Sequence, residues 1–304
     1  MKKAIIAFTI FIIGFTLSAC GSNYEYVEGK VNIVATTTML GDLAKELGGD
    51  NVSVTTLMGV GVDPHLYSAK ASDTNALLKS DMIVYGGLHL EGKMVDILEE
   101  LSDDKAYVNS GEALEEDNGT ILYDDNQNAD PHIWFNVENW MIVAKALTNE
   151  LIEIDPDNAS EYTSLGDQYV KELEALNTWI KEEVATLDEN QRILVTAHDA
   201  FRYFAAAYDF EVHAIQGIST DSEASISDIN NLVDLVTTLG VKSIFIESSV
   251  PQKTIDSVIE SANSEGYELA IGGKLYSDSL GDGLHSSYIE AVKYNVETIV
   301  SALK

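Results

Sequence analysis

Apolar residues recur along this chain in two alternating rhythms. Short runs such as Val31-Asn32-Ile33-Val34-Ala35-Thr36, Met82-Ile83-Val84-Tyr85 and Ser243-Ile244-Phe245-Ile246 are continuous or alternate with period two. That is the signature of strands buried on one or both faces. Between them, residues 39–47, 69–78 and 94–101 place apolar side chains three or four apart, the helical period. Strands are predicted at 31–36, 52–57, 82–85 and 107–108. The second half repeats the scheme at 192–196, 211–216, 243–246 and 268–271, the last ended by Gly272-Gly273. Helices are predicted at 137–152, from 200, and at 226–239, 252–263 and 288–303. Strands alternating with helices predict an α/β fold with mostly parallel sheets and helices on both faces.

One stretch breaks the alternation. Asp155-Pro156 marks a helix start. From there the apolar positions Tyr162, Leu165, Tyr169, Leu173, Leu176, Ile180, Val184 and Leu187 keep one face apolar, with only Gly166 interrupting. About 30 residues at 1.5 Å each span roughly 45 Å, more than one lobe needs. The expectation is two similar lobes joined by one long spine helix: an N-terminal lobe at 31–154, the spine at 155–188 and a C-terminal lobe at 189–304. Residues 110–130 show no periodicity and are predicted as a long surface loop. It carries Glu112, Glu115, Glu116, Asp117, Asp124 and Asp125, and no histidine before His132.

The first residues read as a targeting segment. Lys2 and Lys3 precede an apolar run at 4–17, the layout of a secretory signal. It is too short and wrongly flanked for a stable membrane span. Leu17-Ser18-Ala19-Cys20-Gly21 sets small residues before the chain's single cysteine, the pattern of a bacterial lipoprotein signal. Residues 1–19 are expected to be removed, Cys20 to carry acyl chains of the palmitate kind, and residues 20–30 to form a polar tether. The protein is then expected at the cell membrane, lipid-anchored on the extracytoplasmic face. The 18 basic and 50 acidic residues give a net charge of −32. Such a surface repels nucleic acid. Most of these carboxylates read as a solvated surface.

Candidate chemistry lies in the histidines. Of six, His65 and His132 share one context, Asp63-Pro64-His65 and Asp130-Pro131-His132. Proline stiffens the backbone and presents each imidazole from a loop. His198 follows a strand-like run. With a late carboxylate from Leu275-Tyr276-Ser277-Asp278, these residues follow strands or open helices, where ligands gather in α/β folds. Three imidazoles and one carboxylate suit a single divalent metal, either zinc or manganese. Asp63 and Asp130 are candidates to orient the imidazoles or to cap turns. Glu247 is a candidate to orient His198. His89, His213 and His285 read as structural.

These motifs carry a resemblance. Gly61-Val62-Asp63-Pro64-His65-Leu66-Tyr67, Gly87-Leu88-His89-Leu90-Glu91-Gly92-Lys93-Met94 and Asp130-Pro131-His132-Ile133-Trp134 come in order. Val195-Thr196-Ala197-His198-Asp199-Ala200-Phe201, Gln216-Gly217-Ile218-Ser219-Thr220 and Leu275-Tyr276-Ser277-Asp278 follow. From Val31 to Lys304 the chain resembles the solute-binding lipoproteins of bacterial manganese and zinc ABC importers. The resemblance implies two lobes on a rigid helix and the ligand set His65, His132, His198 and Asp278. It also implies an ABC permease and its ATPase as partners, a monomer, and no enzymatic activity. His198 leans toward zinc. The acidic, histidine-free loop leans toward manganese, as does the wording around His198, and the balance favours manganese. A metallohydrolase needs an open metal position and a general base, for which no His-Glu-x-x-His helix is present. Nothing in the sequence specifies an adhesion partner.

Overall fold

The structure is a computed structural model and describes residues 24–304. The expected signal, Cys20 and the start of the tether lie outside the described residues. The first sheet holds β1 (Val31–Ala35), β2 (Val52–Thr56), β3 (Met82–Tyr85) and β4 (Ala106–Asn109) in the order β2-β1-β3-β4. Every ladder is parallel. Parallel neighbours need crossovers, here supplied by α1 (Thr38–Gly48), α2 (Ala71–Lys79) and α3 (Val95–Ser102). β3 is buried along its whole length, as strands covered on both faces are. The second lobe pairs β5 (Ile193–His198) with β6 (Glu211–Gln216) and β7 (Ser243–Glu247) with β8 (Ala270–Leu275), again in parallel. Its helices are α7 (Arg202–Tyr208), α8 (Ile226–Leu239), α9 (Lys253–Ser264) and α10 (Tyr288–Leu303), numbered after the three helices of the middle region described next.

That region holds α4 (Ser110–Glu116), α5 (Val137–Ile154) and the spine, α6 (Ala159–Val184). α4 corrects the expectation of a structureless loop at 110–130. Asn109 caps it by accepting from the backbone N–H groups of Gly111 and Glu112, and Ala113 and Leu114 are buried beneath it. Two turns are too few to register as a period, so the cap was the usable signal. The spine is one α-helix of 26 residues, preceded by a short 3-10 turn at Pro156–Asn158. It spans about 39 Å at 1.5 Å per residue. Its buried side chains are Tyr162, Gly166, Tyr169, Leu173, Leu176, Ile180 and Val184, so the apolar stripe read from the sequence is the face that packs.

β8 also departs from expectation. Gly272 and Gly273 lie inside the strand rather than ending it. A Cβ on Gly272 would stand 2.9 Å from the Phe245 ring and 3.0 Å from Ala302. Glycine there lets β8 lie close under α10, and the ladder shifts register beside it, between Ile244 and Phe245. The described end of the tether docks on the first lobe, since the Tyr26 hydroxyl donates to Asp81.

The main core crosses between the lobes without a break. Ile33, Leu43, Trp140, Leu147, Leu173, Ile180, Phe201, Phe245 and Tyr288 belong to one buried cluster. Separate clusters cover the outer sheet faces of the second and first lobes. A core shared across the spine resists hinge bending, because opening the lobes would expose apolar surface.

Asp42 sits at this junction. Its carboxylate accepts the Tyr288 backbone N–H at the start of α10, and burial pushes its carboxyl up to about 6. The unfolded group ionises near the usual value of about 4. The fold therefore loses stability as pH rises through that window. Asp42→Asn keeps an acceptor and removes the charge. It is expected to raise the thermal midpoint at pH 8 by an amount worth about 1–2 kcal/mol and to leave it unchanged near pH 4. Thermal melts at the two pH values check this.

Candidate metal centre

Both Asp-Pro-His tripeptides fold the same way, for a local reason. Proline offers no N–H, so the aspartate's first downstream donor is the histidine backbone. Asp63 Oδ1 accepts from His65 N at 2.9 Å and Asp130 Oδ1 from His132 N at 3.0 Å. Each is a closed turn in which the side chain mimics a backbone acceptor. His65 follows β2 in the chain, and His132 precedes a 3-10 turn at Ile133–Phe135. His198 is the last residue of β5. Asp278 lies three residues past β8.

These four converge. His65, His132, His198 and Asp278 are all buried, none more than 3% exposed. One ligand atom from each lies within 4.8 Å of every other. His132 Nε2 stands 3.4 Å from His65 Nε2, 3.3 Å from His198 Nε2 and 3.5 Å from Asp278 Oδ1. His198 Nε2 is 3.3 Å from Asp278 Oδ2. Ligands about 2.1 Å from a shared ion at tetrahedral angles stand about 3.4 Å apart, so the spacing is that of a coordination shell. Both Asp278 oxygens face imidazoles, and Oδ1 has no hydrogen-bond partner among the described residues. Acceptors converging on one buried point cost free energy unless a cation joins them.

The far sides of the rings are held differently. His132 Nδ1 is 2.7 Å from Asp130 Oδ1. His198 Nδ1 is 2.6 Å from Glu247 Oε2, close but poorly aligned for a linear hydrogen bond. Glu247 Oε1 accepts the backbone N–H groups of Ala197 and His198 at 2.9 Å each. A carboxylate at Nδ1 fixes the tautomer that leaves the Nε2 lone pair free. Asp63 does not act this way. It caps its turn and accepts from Thr220 Oγ1 at 2.6 Å, tying the His65 loop to the second lobe.

Burial and neighbouring charge set the protonation states. Burial lowers His65 to about 3, so its imidazole is neutral. For Asp278, burial works toward a higher value, but His198 and then His132 and His65 hold its carboxyl well below the usual range. For His198, burial opposes the charge, and Asp278 with Glu247 outweighs it, raising the imidazole well above its ordinary value.

Further contacts brace the site across the lobes. Trp134 Nε1 donates to the Ser277 carbonyl at 3.0 Å, and the Tyr288 hydroxyl donates to the Trp134 carbonyl at 2.7 Å. Within the second lobe, Ser249 Oγ donates to Asp278 Oδ2 at 3.1 Å. Trp134 sits in a motif visible in the sequence. Ser249 carried no signal, since a lone serine past a strand is ordinary. The other histidines lie elsewhere. His213 pairs with Glu211 at 2.7 Å, His285 packs at a tilt against Tyr276 and Tyr294, and His89 lines a surface groove with Glu91.

Known proteins share this architecture. A family model described as ZnuA, zinc-uptake complex component A, periplasmic, matches residues 33–302. The manganese-binding lipoprotein MntA of Bacillus subtilis is 38% identical over 308 residues, covering 100% of both chains. The zinc-binding protein TroA of Treponema pallidum is 38% identical over 292 residues, 95% of this chain and 94% of that one. The solved structure of TroA superposes with a TM-score of 0.88, covering 90% of this chain and 99% of that one.

Proposed function

Because the chain belongs to the ZnuA family of metal-uptake components, we propose that it captures one Mn(2+) outside the cytoplasm for an ABC importer. The ligands are His65, His132, His198 and Asp278. The observation that carries this reading is the buried set of four atoms at coordination spacing. Cys20 holds lipid at the membrane. A separate permease and its ATPase complete the importer, because no Gly-x-x-x-x-Gly-Lys-Ser/Thr phosphate loop occurs in the sequence. The protein acts as a monomer, with lobes at 31–154 and 189–304 about a spine at 155–188. Four protein ligands suit holding an ion more than activating water on it.

Manganese is favoured by the carboxylate. Both Asp278 oxygens turn toward the imidazoles, at 3.5 and 3.3 Å. That suits a bidentate grip on a larger, oxygen-preferring ion. The relative MntA is named for manganese, and the loop before Asp130 holds acids and no histidine. Zinc is the second reading, supported by the name of TroA and by three imidazoles. Zinc also stands above manganese in the affinity order. Selectivity then rests on coordination number and on metal supply.

The test is a competition titration of Mn(2+) against Zn(2+) on the protein without its signal, with His65→Ala beside it. The parent takes up one ion per chain and His65→Ala loses it. Metal binding by His65→Ala at the parent's affinity sinks the ligand assignment. Glu247→Gln is expected to keep the fold and weaken the ion's hold about 10–100-fold, read in the same titration.

A further inference from the structure

Behind His132 stands a cation that coordination alone does not require. Arg202, at the start of α7, donates from Nη2 to the Tyr123 carbonyl at 2.8 Å. Its Nη1 lies 3.7 Å from Asp130 Oδ2, and its Nε 3.7 Å from Asp199 Oδ2. Neither Nη1 nor Asp130 Oδ2 has a hydrogen-bond partner among the described residues, although both atoms are buried. They face each other just beyond bonding reach. The other oxygen of Asp130 meets His132 Nδ1 at 2.7 Å. One carboxylate is thus shared between an imidazole and a guanidinium.

The next residue strengthens the grip. The Tyr203 hydroxyl donates to the Asp130 carbonyl at 2.8 Å and accepts the Leu122 N–H at 3.0 Å. Two adjacent residues of the second lobe therefore hold the loop of the first lobe at two points, Leu122-Tyr123 and Asp130. The arrangement is not repeated at the other rings. Glu247 stands behind His198 with no Arg or Lys paired to it among the described residues, and no carboxylate forms an ion pair with the His65 ring.

We propose that Arg202 is a positioning residue that moderates the site's hold on its ion. Its charge draws on Asp130, which then lends less electron density through His132 to the metal. Arg202 also repels the bound dication directly, with little water between them to screen it. Both effects loosen binding. A carrier that must surrender its cargo gains from that. A purely mechanical clamp has the opposite consequence, because its loss frees Asp130 and weakens the site.

The inference rests on the metal-binding reading, and one experiment separates the two. Mn(2+) release into excess chelator is followed by stopped flow for the parent, Arg202→Gln, Arg202→Lys and Asp199→Asn. Arg202→Gln is expected to release Mn(2+) more slowly, on the order of tenfold, and Arg202→Lys to stay close to the parent. Asp199→Asn leaves Arg202 a single carboxylate to face, Asp130, and is expected to release sooner. Release from Arg202→Gln at the parent's rate or faster overturns the inference. If Arg202→Gln does not fold, Arg202→Met decides, and release at the parent's rate or faster overturns the inference. A parent that binds no Mn(2+) overturns the metal-binding reading itself.

Discussion

Asp278→Ala is expected to lose the bound metal ion while keeping its fold. Asp278 is the only carboxylate of the four candidate ligands, and it is buried among three imidazoles. Removing one member of a buried charged set costs about 3–5 kcal/mol. That corresponds to a loss of affinity between about a hundredfold and several thousandfold. The variant keeps its circular dichroism, since the Ser277 carbonyl that accepts from Trp134 belongs to the backbone. A chelator-competition titration reads the affinity. Parental affinity in Asp278→Ala would mean that the ion sits elsewhere.

The second large effect is on stability. Trp140 is buried in α5 and stacks on Tyr288 of α10, centroids 5.0 Å apart and planes 23° from parallel. Truncating a buried tryptophan costs about 3–5 kcal/mol, a large share of the ~5–15 kcal/mol that holds a domain folded. Trp140→Ala is expected to lower the thermal midpoint by roughly 10 °C. Because Trp140 and Tyr288 share one core cluster, the melt should remain a single transition. Two separate transitions would show that the lobes hold independently.

Much of this was legible in the sequence, for identifiable reasons. The spine showed because its apolar positions keep helical steps over many turns, with Gly166 the one interruption. The helices at Ile226–Leu239 and Tyr288–Leu303 matched their predicted bounds because Ser225 and Ser287 cap them and Gly240 ends the first. The repeated Asp-Pro-His showed because proline makes the aspartate cap its own histidine. α4 was hidden because seven residues carry too little period. β8 was misplaced because glycines usually end strands, and only the Phe245 ring and α10 explain why they continue one here.

The site was legible in part. Asp278 was one carboxylate among 50 acids, and only its motif singled it out. The different duties of Asp63 and Asp130 were not legible at all. Both occupy the same tripeptide, yet only Asp130 reaches its imidazole, while Asp63 bonds Thr220 across the cleft. Arg202 was invisible, since its partners Tyr123 and Asp130 lie far away in the chain and meet it only in the folded protein.

Anomalous diffraction at the manganese edge, from crystals of the Mn(2+)-loaded protein, reaches the ion itself. One peak is predicted, about 2.0–2.4 Å from a nitrogen of His65, His132 and His198 and from Asp278 oxygen. A peak anywhere else, or one missing two of those four residues, contradicts the account.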